Sequence, residues 1–339
     1  MTKRSKIIGV GSYVPNNVVT NNDLSKMLDT SNEWIVQRTG IEQRYWVDAN
    51  SEVATSDLGY EAAVKAIKNA QIDKNDLDMI IFATMTPDHE FPGSACFLQK
   101  KLDLPGIPAI DVRQQCSGFL FALSMAEQYI RNGEYKKVLI VGAEVSSKGL
   151  DKSPTGRNVT ILFGDGAGAV VVSACDITDS SKDSHVLSTH IHCDGRFAEE
   201  LWVSAPGSAH IGGRITHELI DQKAHFGYMN GKMVFITATK KIPEAILETL
   251  AFNNIKKEDV DLFVLHQANL RINEKITEIL GVDPSKVFNT IQKYGNTTAA
   301  TVPLGLSDAV EAGKIKPGSL VASATFGSGF TWASALIRW

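Results

Sequence analysis

The sequence predicts an α/β fold built from two similar halves, and two observations support this. Short apolar segments alternate with amphipathic ones, a pattern typical of a mostly parallel sheet covered on both faces. A pattern in the first half also recurs 183 residues later. Buried strands are predicted at residues 6–14, 78–84, 109–112 and 137–142, and helices at residues 56–70, 93–102 and 117–130.

The repeat is visible in two matching turns. Residues 72–78 precede the strand Met-Ile-Ile-Phe-Ala-Thr, and residues 255–261 precede Leu-Phe-Val-Leu-His-Gln. The same offset carries Val138 onto Val321, in another apolar segment. With 339 residues, the chain is long enough for two core-forming units. We therefore predict an N-terminal half at residues 1–175 and a C-terminal half at residues 176–339.

Composition excludes several classes of protein. Hydrophobic residues make up 43% and charged residues 21%, an ordinary balance for a soluble protein. The formal net charge of -4 argues against nucleic acid as a partner. No apolar run reaches about 18 residues, so no membrane span is predicted. The start lacks a signal-peptide core, and the four cysteines are widely spaced, so we expect a cytoplasmic protein with reduced thiols.

Three further segments complete the chain. A short helix is predicted at residues 21–28. Residues 164–168 (Gly-Asp-Gly-Ala-Gly) lack the spacing of a nucleotide loop, so we interpret them as a tight turn between strands at 159–163 and 169–173. Residues 175–232 are rich in loop-forming residues. They include His190, His192 and Cys193, but a strand would turn Cys193 away from the histidines, so no metal site is predicted.

Cys116 lies where a strand turns into the start of a helix. Backbone N–H groups at such a point have no intrahelical partner, and they favour a thiolate and bind a developing oxyanion. A nucleophile and a buried structural cysteine are both compatible with this position alone.

The repeat also points to partners for Cys116. The offset places His266 at the end of a strand and Asn296 in a loop after Gly295. Open parallel sheets bind ligands at these strand ends. If the halves pack about a pseudo-twofold axis, Cys116 faces His266 and Asn296 of the other half. Each of these residues taken separately also fits an ordinary structural role.

Two exposed side chains suggest an aromatic ligand. Trp34 and Arg38 lie four residues apart, on one face of a predicted helix. An indole and a guanidinium can hold a flat aromatic group between them. A surface tryptophan stacked by its own arginine is the alternative.

Together these residues resemble the β-ketoacyl-acyl-carrier-protein synthase III family, condensing enzymes of the thiolase-like superfamily. The resemblance covers essentially the whole chain. It implies a five-layered αβαβα fold, a homodimer and no cofactor beyond the coenzyme A thioester substrate. The matching stretches are residues 29–40, 115–119, 163–168, 266–271, 295–297 and 326–332.

The resemblance also implies an activity. An acyl-CoA, with acetyl-CoA expected, acylates Cys116. A decarboxylative Claisen condensation with malonyl-acyl carrier protein then gives 3-oxoacyl-acyl carrier protein and CO2, the first step of fatty acid synthesis. His266 and Asn296 are expected to stabilise the enolate. Cys116 and Ser328 resemble the residues whose backbone N–H groups form the oxyanion hole.

Other residues resemble the family's binding residues. Trp34 and Arg157 resemble the pair that holds the adenine of coenzyme A, and Phe91 resembles a residue that a partner subunit lends to the acyl pocket. Carrier-protein docking is expected at Arg271 and Lys275. The remaining predicted substrate-binding residues are Thr30, Arg38, Asn269 and Phe326.

The chain departs from the family pattern in three places. Ser328 stands where the usual turn has a glycine, Glu278 and Ile279 replace an expected basic pair, and residues 196–228 are longer than in compact members. A synthase III-like enzyme that uses longer or unusual acyl-CoA in secondary metabolism is therefore one alternative. A non-catalytic acyl-CoA-binding paralogue is another, although it would be expected to lose Cys116 or His266.

Overall fold

The computed structural model describes residues 2–339. The strands are β1 (Thr2–Tyr13), β2 (Val18–Thr20), β3 (Gln43–Tyr45), β4 (Met79–Ala83), β5 (Ala109–Val112), β6 (Lys137–Glu144), β7 (Gly166–Ile177), β8 (His185–Cys193), β9 (Leu201–Trp202), β10 (Tyr228–Met229), β11 (Leu262–Leu265), β12 (Leu320–Gly327) and β13 (Thr331–Arg338). The helices are α1 (Asn21–Leu24), α2 (Asn32–Thr39), α3 (Thr55–Asn69), α4 (Ser94–Leu102), α5 (Gly118–Arg131), α6 (Arg157–Thr160), α7 (His217–Asp221), α8 (Gly231–Phe252), α9 (Leu270–Leu280), α10 (Ile291–Tyr294) and α11 (Thr301–Glu311).

Two central sheets have the same plan. The first has the strand order β1-β7-β6-β4-β5, and the second has the order β8-β13-β12-β11. In each, one parallel pair lies beside an antiparallel pair: β4 runs parallel to β6, as β11 does to β12. The second sheet lacks a full counterpart of β5, since Val287 contributes only an isolated parallel bridge to Phe263.

Helices and sheets form five layers. Helices α3 and α4 pack on the outer face of the first sheet, and α8 and α9 pack on the outer face of the second. Buried side chains of α5 and α11 fill the space between the two sheets. Two-sided burial explains why β4 and β11 consist entirely of buried residues. The predicted α/β class and five-layered arrangement are confirmed.

The 183-residue offset recurs in the hydrogen bonds that two aspartates accept from backbone N–H groups. The Asp78 carboxylate accepts a hydrogen bond from the Lys137 N–H at 2.8 Å, and the Asp261 carboxylate accepts one from the Leu320 N–H at 2.8 Å. Each bond fixes the start of the central parallel strand of its sheet. The predicted division after residue 175 falls inside β7, which ends at Ile177, and it stays a prediction.

Some local predictions are wrong. The first helix ends at Leu24 rather than at residue 28, and Thr20 caps it through a reciprocal hydrogen-bond pair with Asp23. Residues 159–163 are not a strand, because α6 occupies residues 157–160 and Phe163 makes only one bridge, to Asn296. A β-carbon on Gly164 would lie 2.3 Å from the Tyr294 carbonyl oxygen. This glycine therefore permits close backbone packing.

The segment of residues 175–232 is more ordered than its composition suggests. It contains β8, which is the edge strand of the second sheet, and the two-residue strands β9 and β10, which pair antiparallel. Among residues 2–339, no helix combines the length and apolar composition that a membrane span needs.

Candidate active site

Cys116 lies in a tight turn between β5 and α5. Residues 115–117 form a short 3-10 turn, and the first α-helical residue is Gly118. Gln115 adopts a left-handed backbone conformation with φ of 45°. The Cys116 side chain is only 6% exposed. A β-carbon on Gly327 would lie 3.0 Å from the Cys116 nitrogen, so β12 ends directly against Cys116.

The charge state of Cys116 is set by burial. Burial raises the pKa of the thiol to about 12, and the nearby Glu144 carboxylate acts in the same direction. This is opposite to the effect expected of a helix start, because lost solvation of the anion outweighs the partial charges of a few N–H groups. The resting residue is therefore a neutral thiol.

His266 follows the last residue of β11, where a parallel strand ends. Its side chain is buried, and burial lowers the pKa of the imidazole to about 3. The ring is therefore neutral around pH 7. Its Nδ1 lies 2.7 Å from the Thr301 hydroxyl, which lies 2.9 Å from the Thr298 carbonyl oxygen. Because the Thr301 hydroxyl donates its one hydrogen to the Thr298 carbonyl oxygen, it accepts from Nδ1, and Nε2 of the neutral ring carries a lone pair in this arrangement.

Asn296 follows α10 and Gly295. Its Oδ1 accepts a hydrogen bond from the Thr298 N–H at 2.8 Å. This bond fixes the orientation of the amide, and among residues 2–339 no acceptor within hydrogen-bond distance faces Nδ2. The N–H groups of Nδ2 are therefore available to a ligand.

One cavity of about 410 Å³ brings these residues together. Cys116 comes from the first half, and His266 and Asn296 come from the second. Phe326 lines the wall near Cys116, and Trp34, Arg38, Asn269 and Arg271 also line the cavity. The cavity thus joins the predicted nucleophile to the predicted coenzyme A residues.

Trp34 lies between two arginines. The guanidinium carbons of Arg38 and Arg157 lie 4.9 Å and 4.4 Å from the centre of its ring. Arg157 also donates a hydrogen bond to the Asp29 carbonyl oxygen at 2.7 Å. Arg157 is therefore stacked directly on the indole, with no gap for another aromatic ring between them.

Asn269 joins the entrance to α9. Its Oδ1 caps the helix by accepting from the Arg271 N–H, and its Nδ2 donates to the Arg38 carbonyl oxygen at 3.0 Å. The Thr30 hydroxyl is buried without a hydrogen-bond partner among residues 2–339. Thr30 itself does not line the cavity.

Three other predicted residues are not part of the cavity lining. Phe91 is 79% exposed. Lys275 forms an ion pair with Glu278 at 2.8 Å, which neutralises much of its charge. The Ser328 hydroxyl donates a hydrogen bond to the Leu201 carbonyl oxygen.

The chain matches two family models. One, described as 3-oxoacyl-[acyl-carrier-protein (ACP)] synthase III, matches residues 110–195, and the other, described as its C terminal, matches residues 250–339. The β-ketoacyl-[acyl-carrier-protein] synthase III of Psychromonas ingrahamii is 45% identical over 336 residues, which cover 98% of this chain and 99% of that protein. The chain belongs to the 3-oxoacyl-[acyl-carrier-protein] synthase III family.

Other members of the synthase III family agree in sequence and structure. The Shigella flexneri protein is 44% identical over 334 residues, covering 98% of this chain and 99% of its own length. The crystal structure of the Aquifex aeolicus 3-oxoacyl-[acyl-carrier-protein] synthase III has a TM-score of 0.88 and 38% identity, covering 99% of this chain and 100% of that one. The predicted family and thiolase-like fold are confirmed.

Glu144 was not predicted from the synthase III resemblance. It is fully buried at the end of β6, where Thr84, Met85 and Thr86 direct donors at its two oxygens. Both threonine hydroxyls already accept backbone N–H groups, so they donate to Glu144, as a carboxylate requires. Only spatial proximity to Cys116 identifies Glu144, since the two are 28 residues apart in sequence.

The ribbon of β9 and β10 was also missed. Leu201 and Met229 line the catalytic cavity, together with Lys232 just after the ribbon. Strands of two residues carry no periodic signal, so the signal that could have found them is the 183-residue offset, which places β2 and β3 at residues 201–203 and 226–228.

The histidines of β8 pair with a carboxylate. His192 and His190 lie 2.7 Å and 3.4 Å from the two oxygens of Glu248. Among residues 2–339, no cluster of three or more histidine, cysteine or acidic side chains is arranged to hold a metal ion.

Proposed function

We propose that this chain is an acyltransferase, a β-ketoacyl-acyl-carrier-protein synthase III. In the first step an acyl-CoA, with acetyl-CoA the expected substrate, transfers its acyl group to Cys116. In the second step malonyl-acyl carrier protein loses CO2 and condenses with the acyl group, giving 3-oxoacyl-acyl carrier protein and initiating fatty acid synthesis. The observation that carries the proposal is the single cavity lined by Cys116, His266 and Asn296.

Acyl transfer follows from the chemistry of a buried thiol. The sulfur of Cys116 bonds to the thioester carbon, the bond from that carbon to the sulfur of coenzyme A breaks, and the thiol proton leaves with coenzyme A. Backbone N–H groups of Cys116 and Ser328 are proposed to stabilise the oxyanion. Each such donor contributes roughly 2.7–4 kcal/mol to a transition state.

Condensation requires stabilisation of an enolate. Neutral His266 and Asn296 are proposed to donate to the thioester oxygen of the malonyl group as its carbon–carbon bond to CO2 breaks. For His266 this requires Thr301 to turn its hydrogen from the Thr298 carbonyl oxygen to Nδ1, so that Nε2 carries the ring hydrogen. The enolate carbon then attacks the acyl group on Cys116, whose sulfur leaves and regains a proton. Thr301 and Thr298 support these roles because they hold Nδ1 of His266 and Oδ1 of Asn296. The proposal calls for no metal ion or cofactor.

The substrates are proposed to enter past a basic rim. Trp34 and Arg157 would hold the adenine of coenzyme A once Arg157 shifts, with Arg38, Asn269 and Thr30 around it. The acidic carrier protein would meet Arg271 and, less strongly, Lys275, whose charge Glu278 opposes. The exposure of Phe91 supports its proposed insertion into a partner subunit. The working form is accordingly proposed to be a homodimer. Its proposed location is the cytoplasm.

One observation favours a second candidate. Ser328 replaces a glycine of the family turn, and its hydroxyl binds the ribbon that lines the cavity. A cavity wall fastened in this way would suit a synthase III-like enzyme that uses an unusual acyl-CoA. The presence of both Cys116 and His266 argues against a non-catalytic paralogue.

Mass spectrometry of the intact protein tests the proposal. Incubation with acetyl-CoA is expected to add one acetyl group, which peptide mapping locates on Cys116. Cys116→Ser is expected to lose the adduct, whereas Cys193→Ser, which changes an exposed thiol, is expected to keep it. No adduct with any acyl-CoA, or an equal adduct in Cys116→Ser, contradicts the proposal.

His266→Ala separates the two steps. This variant is expected to accept the acyl group, because Cys116 is unchanged. It is expected to decarboxylate malonyl-acyl carrier protein at least about 100-fold more slowly, since one enolate donor is lost. Release of CO2 at the wild-type rate would show that His266 has another role.

A further inference from the structure

The β9–β10 ribbon separates two hollows. Leu201 pairs with Met229, and Trp202 pairs with Tyr228. Side chains alternate along a strand, so the two pairs face opposite sides. Leu201 and Met229 line the catalytic cavity, whereas Trp202 and Tyr228 line a second hollow of about 330 Å³. The ribbon is therefore a thin wall of the catalytic cavity with open space behind it.

The ribbon is fastened to the turn that follows β12. The Ser328 hydroxyl donates to the Leu201 carbonyl oxygen. Just before the ribbon, Asp194 and Phe330 exchange two backbone hydrogen bonds of 2.8 and 2.9 Å. The segment of residues 194–201 is thus bound to the turn after β12 at both of its ends, through Asp194 and through Leu201.

Aromatic stacking adds a third attachment. Phe197 stacks on Phe330 with ring centres 5.2 Å apart and an angle of 9° between the planes. Phe330 in turn contacts Phe326, with ring centres 4.8 Å apart. Phe326 lines the catalytic cavity, and the next residue, Gly327, lies against Cys116. A continuous series of contacts therefore connects Leu201 to Phe326 and Cys116.

We propose that Ser328 is a specificity-determining residue that fixes the Leu201 wall and so limits the length of acyl chain the cavity accepts. The inference rests on the proposed function and deepens it. Among these attachments, the hydroxyl is the one that binds the wall residue itself. A glycine or alanine at position 328 has no side-chain donor, so it would leave the Leu201 carbonyl without this partner.

The open space behind the ribbon gives the wall room to retreat. When the wall is held, a longer acyl chain meets Leu201. When the wall is released, the ribbon can move toward the second hollow and admit further methylene groups. Two substrates that differ by one methylene group in an apolar pocket differ in kcat/KM by about 10-fold or more.

The experiment compares acyl-CoA substrates across variants. The quantity measured is the ratio of kcat/KM for octanoyl-CoA to that for acetyl-CoA, in wild type, Ser328→Ala and Ser328→Gly. We expect the ratio to rise at least about 10-fold in both variants. Any change in the oxyanion hole affects both substrates alike, because they share the same thioester group, so it cancels in the ratio.

Two further variants sharpen the test. Leu201→Ala shortens the wall directly and is expected to raise the ratio regardless of position 328. Ser208→Ala alters an exposed serine in the loop between β9 and β10 and is expected to leave the ratio unchanged. Circular dichroism and thermal unfolding establish that each variant is folded. Should Ser328→Gly fail to fold, Ser328→Ala retains the β-carbon and tests the hydroxyl alone.

The outcomes are distinguishable. A ratio within twofold of wild type in the folded serine variants, with Leu201→Ala still raising it, overturns the fastening role of Ser328 and leaves the proposed function intact. Failure of wild type to form product from any acyl-CoA overturns the proposed function instead. A rise in Ser328→Ala alone suffices to support the role of the hydroxyl.

Discussion

Opposing influences act on the sulfur of Cys116. The start of α5 offers backbone N–H groups and a partial positive charge, which stabilise a thiolate. Burial removes water from the anion, and the Glu144 carboxylate repels it. Burial is the larger of these two causes, and the helix start contributes only part of a unit charge. The neutral form therefore dominates until a substrate carbonyl draws the sulfur into bonding.

This balance predicts how reactivity depends on pH. The pKa of Cys116 is raised to about 12, so its thiolate fraction grows about tenfold for each pH unit below that value. We expect the rate of Cys116 alkylation by iodoacetamide to climb from pH 7 to pH 10 without levelling off. Peptide mass spectrometry follows Cys116 separately from the exposed Cys96 and Cys193. A plateau below pH 9 would show that the helix start outweighs burial.

Single residues were predictable only where local pattern determines them. The change from strand to helix located Cys116, and the repeat located His266 and Asn296. Thr301 and Glu144 were not predictable, because their roles depend on side chains that meet only in the folded chain. Similarly, the stacking of Arg157 on Trp34 joins segments 123 residues apart.

The segment around α7 is anchored by one lysine. The Lys223 ammonium donates to Asp151 at 3.1 Å, to Ser153 at 2.8 Å and to Thr155 at 2.7 Å. Burial acts to raise the pKa of Asp151, but its hydrogen bonds together hold the pKa below the ordinary value. These three acceptors lie in the turn just before Arg157. Lys223 thus links the segment around α7 to the turn before Arg157, a residue of the proposed adenine site.

Lys223→Met is expected to weaken acyl-CoA binding. The turn at residues 151–155 would lose its anchor, and the backbone that positions Arg157 would become less fixed. We expect KM for acyl-CoA to rise about tenfold, a loss of about 1.4 kcal/mol, with little change in kcat. Steady-state kinetics with varied acyl-CoA provide the measurement.

A lysine elsewhere on the surface serves as the control for Lys223→Met. Lys182 is 80% exposed and pairs only with the nearby Asp179. Lys182→Met removes the same charge without touching the turn, and is expected to keep the wild-type KM. An unchanged KM in Lys223→Met would show that the turn is held by its own hydrogen bonds, such as that from Thr155 to Asp151.

At the scale of the molecule, the two halves meet at the cavity that Cys116, His266 and Asn296 line. The turn at residues 115–117 has its repeat mate at residues 298–300, and Gln115 and Thr298 share left-handed φ angles of 45° and 48°. Equivalent turns from the two halves therefore meet beside the cavity. Sequence could predict this meeting because an offset of 183 residues implies symmetry. The ribbon also has a mate in the first half, because the offset places β2 and β3, another antiparallel pair, at residues 201–203 and 226–228. Neither pair was predicted, since strands of two or three residues carry no periodic signal.

The junction depends on a close approach of β6 to the second half. A β-carbon on Gly142 would lie 2.4 Å from the Ala299 carbonyl oxygen and 2.9 Å from its carbonyl carbon. These are backbone atoms, which cannot rotate aside as a flexible side chain can. Ala299 follows the turn that orients Asn296. The spacing between the halves and the geometry of the site are therefore set at one point.

Gly142→Ala is expected to disturb both stability and catalysis. Overpacking of this kind costs about 1–3 kcal/mol, and we expect the upper end because only backbone can yield. The urea midpoint of unfolding should fall, and condensation should slow more than acylation of Cys116, since the shift falls on Asn296. The control is Gly149→Ala, where a β-carbon meets nothing within 4 Å and stability should change by less than about 0.5 kcal/mol. Equal midpoints in the two variants would mean that the halves adjust independently of the site.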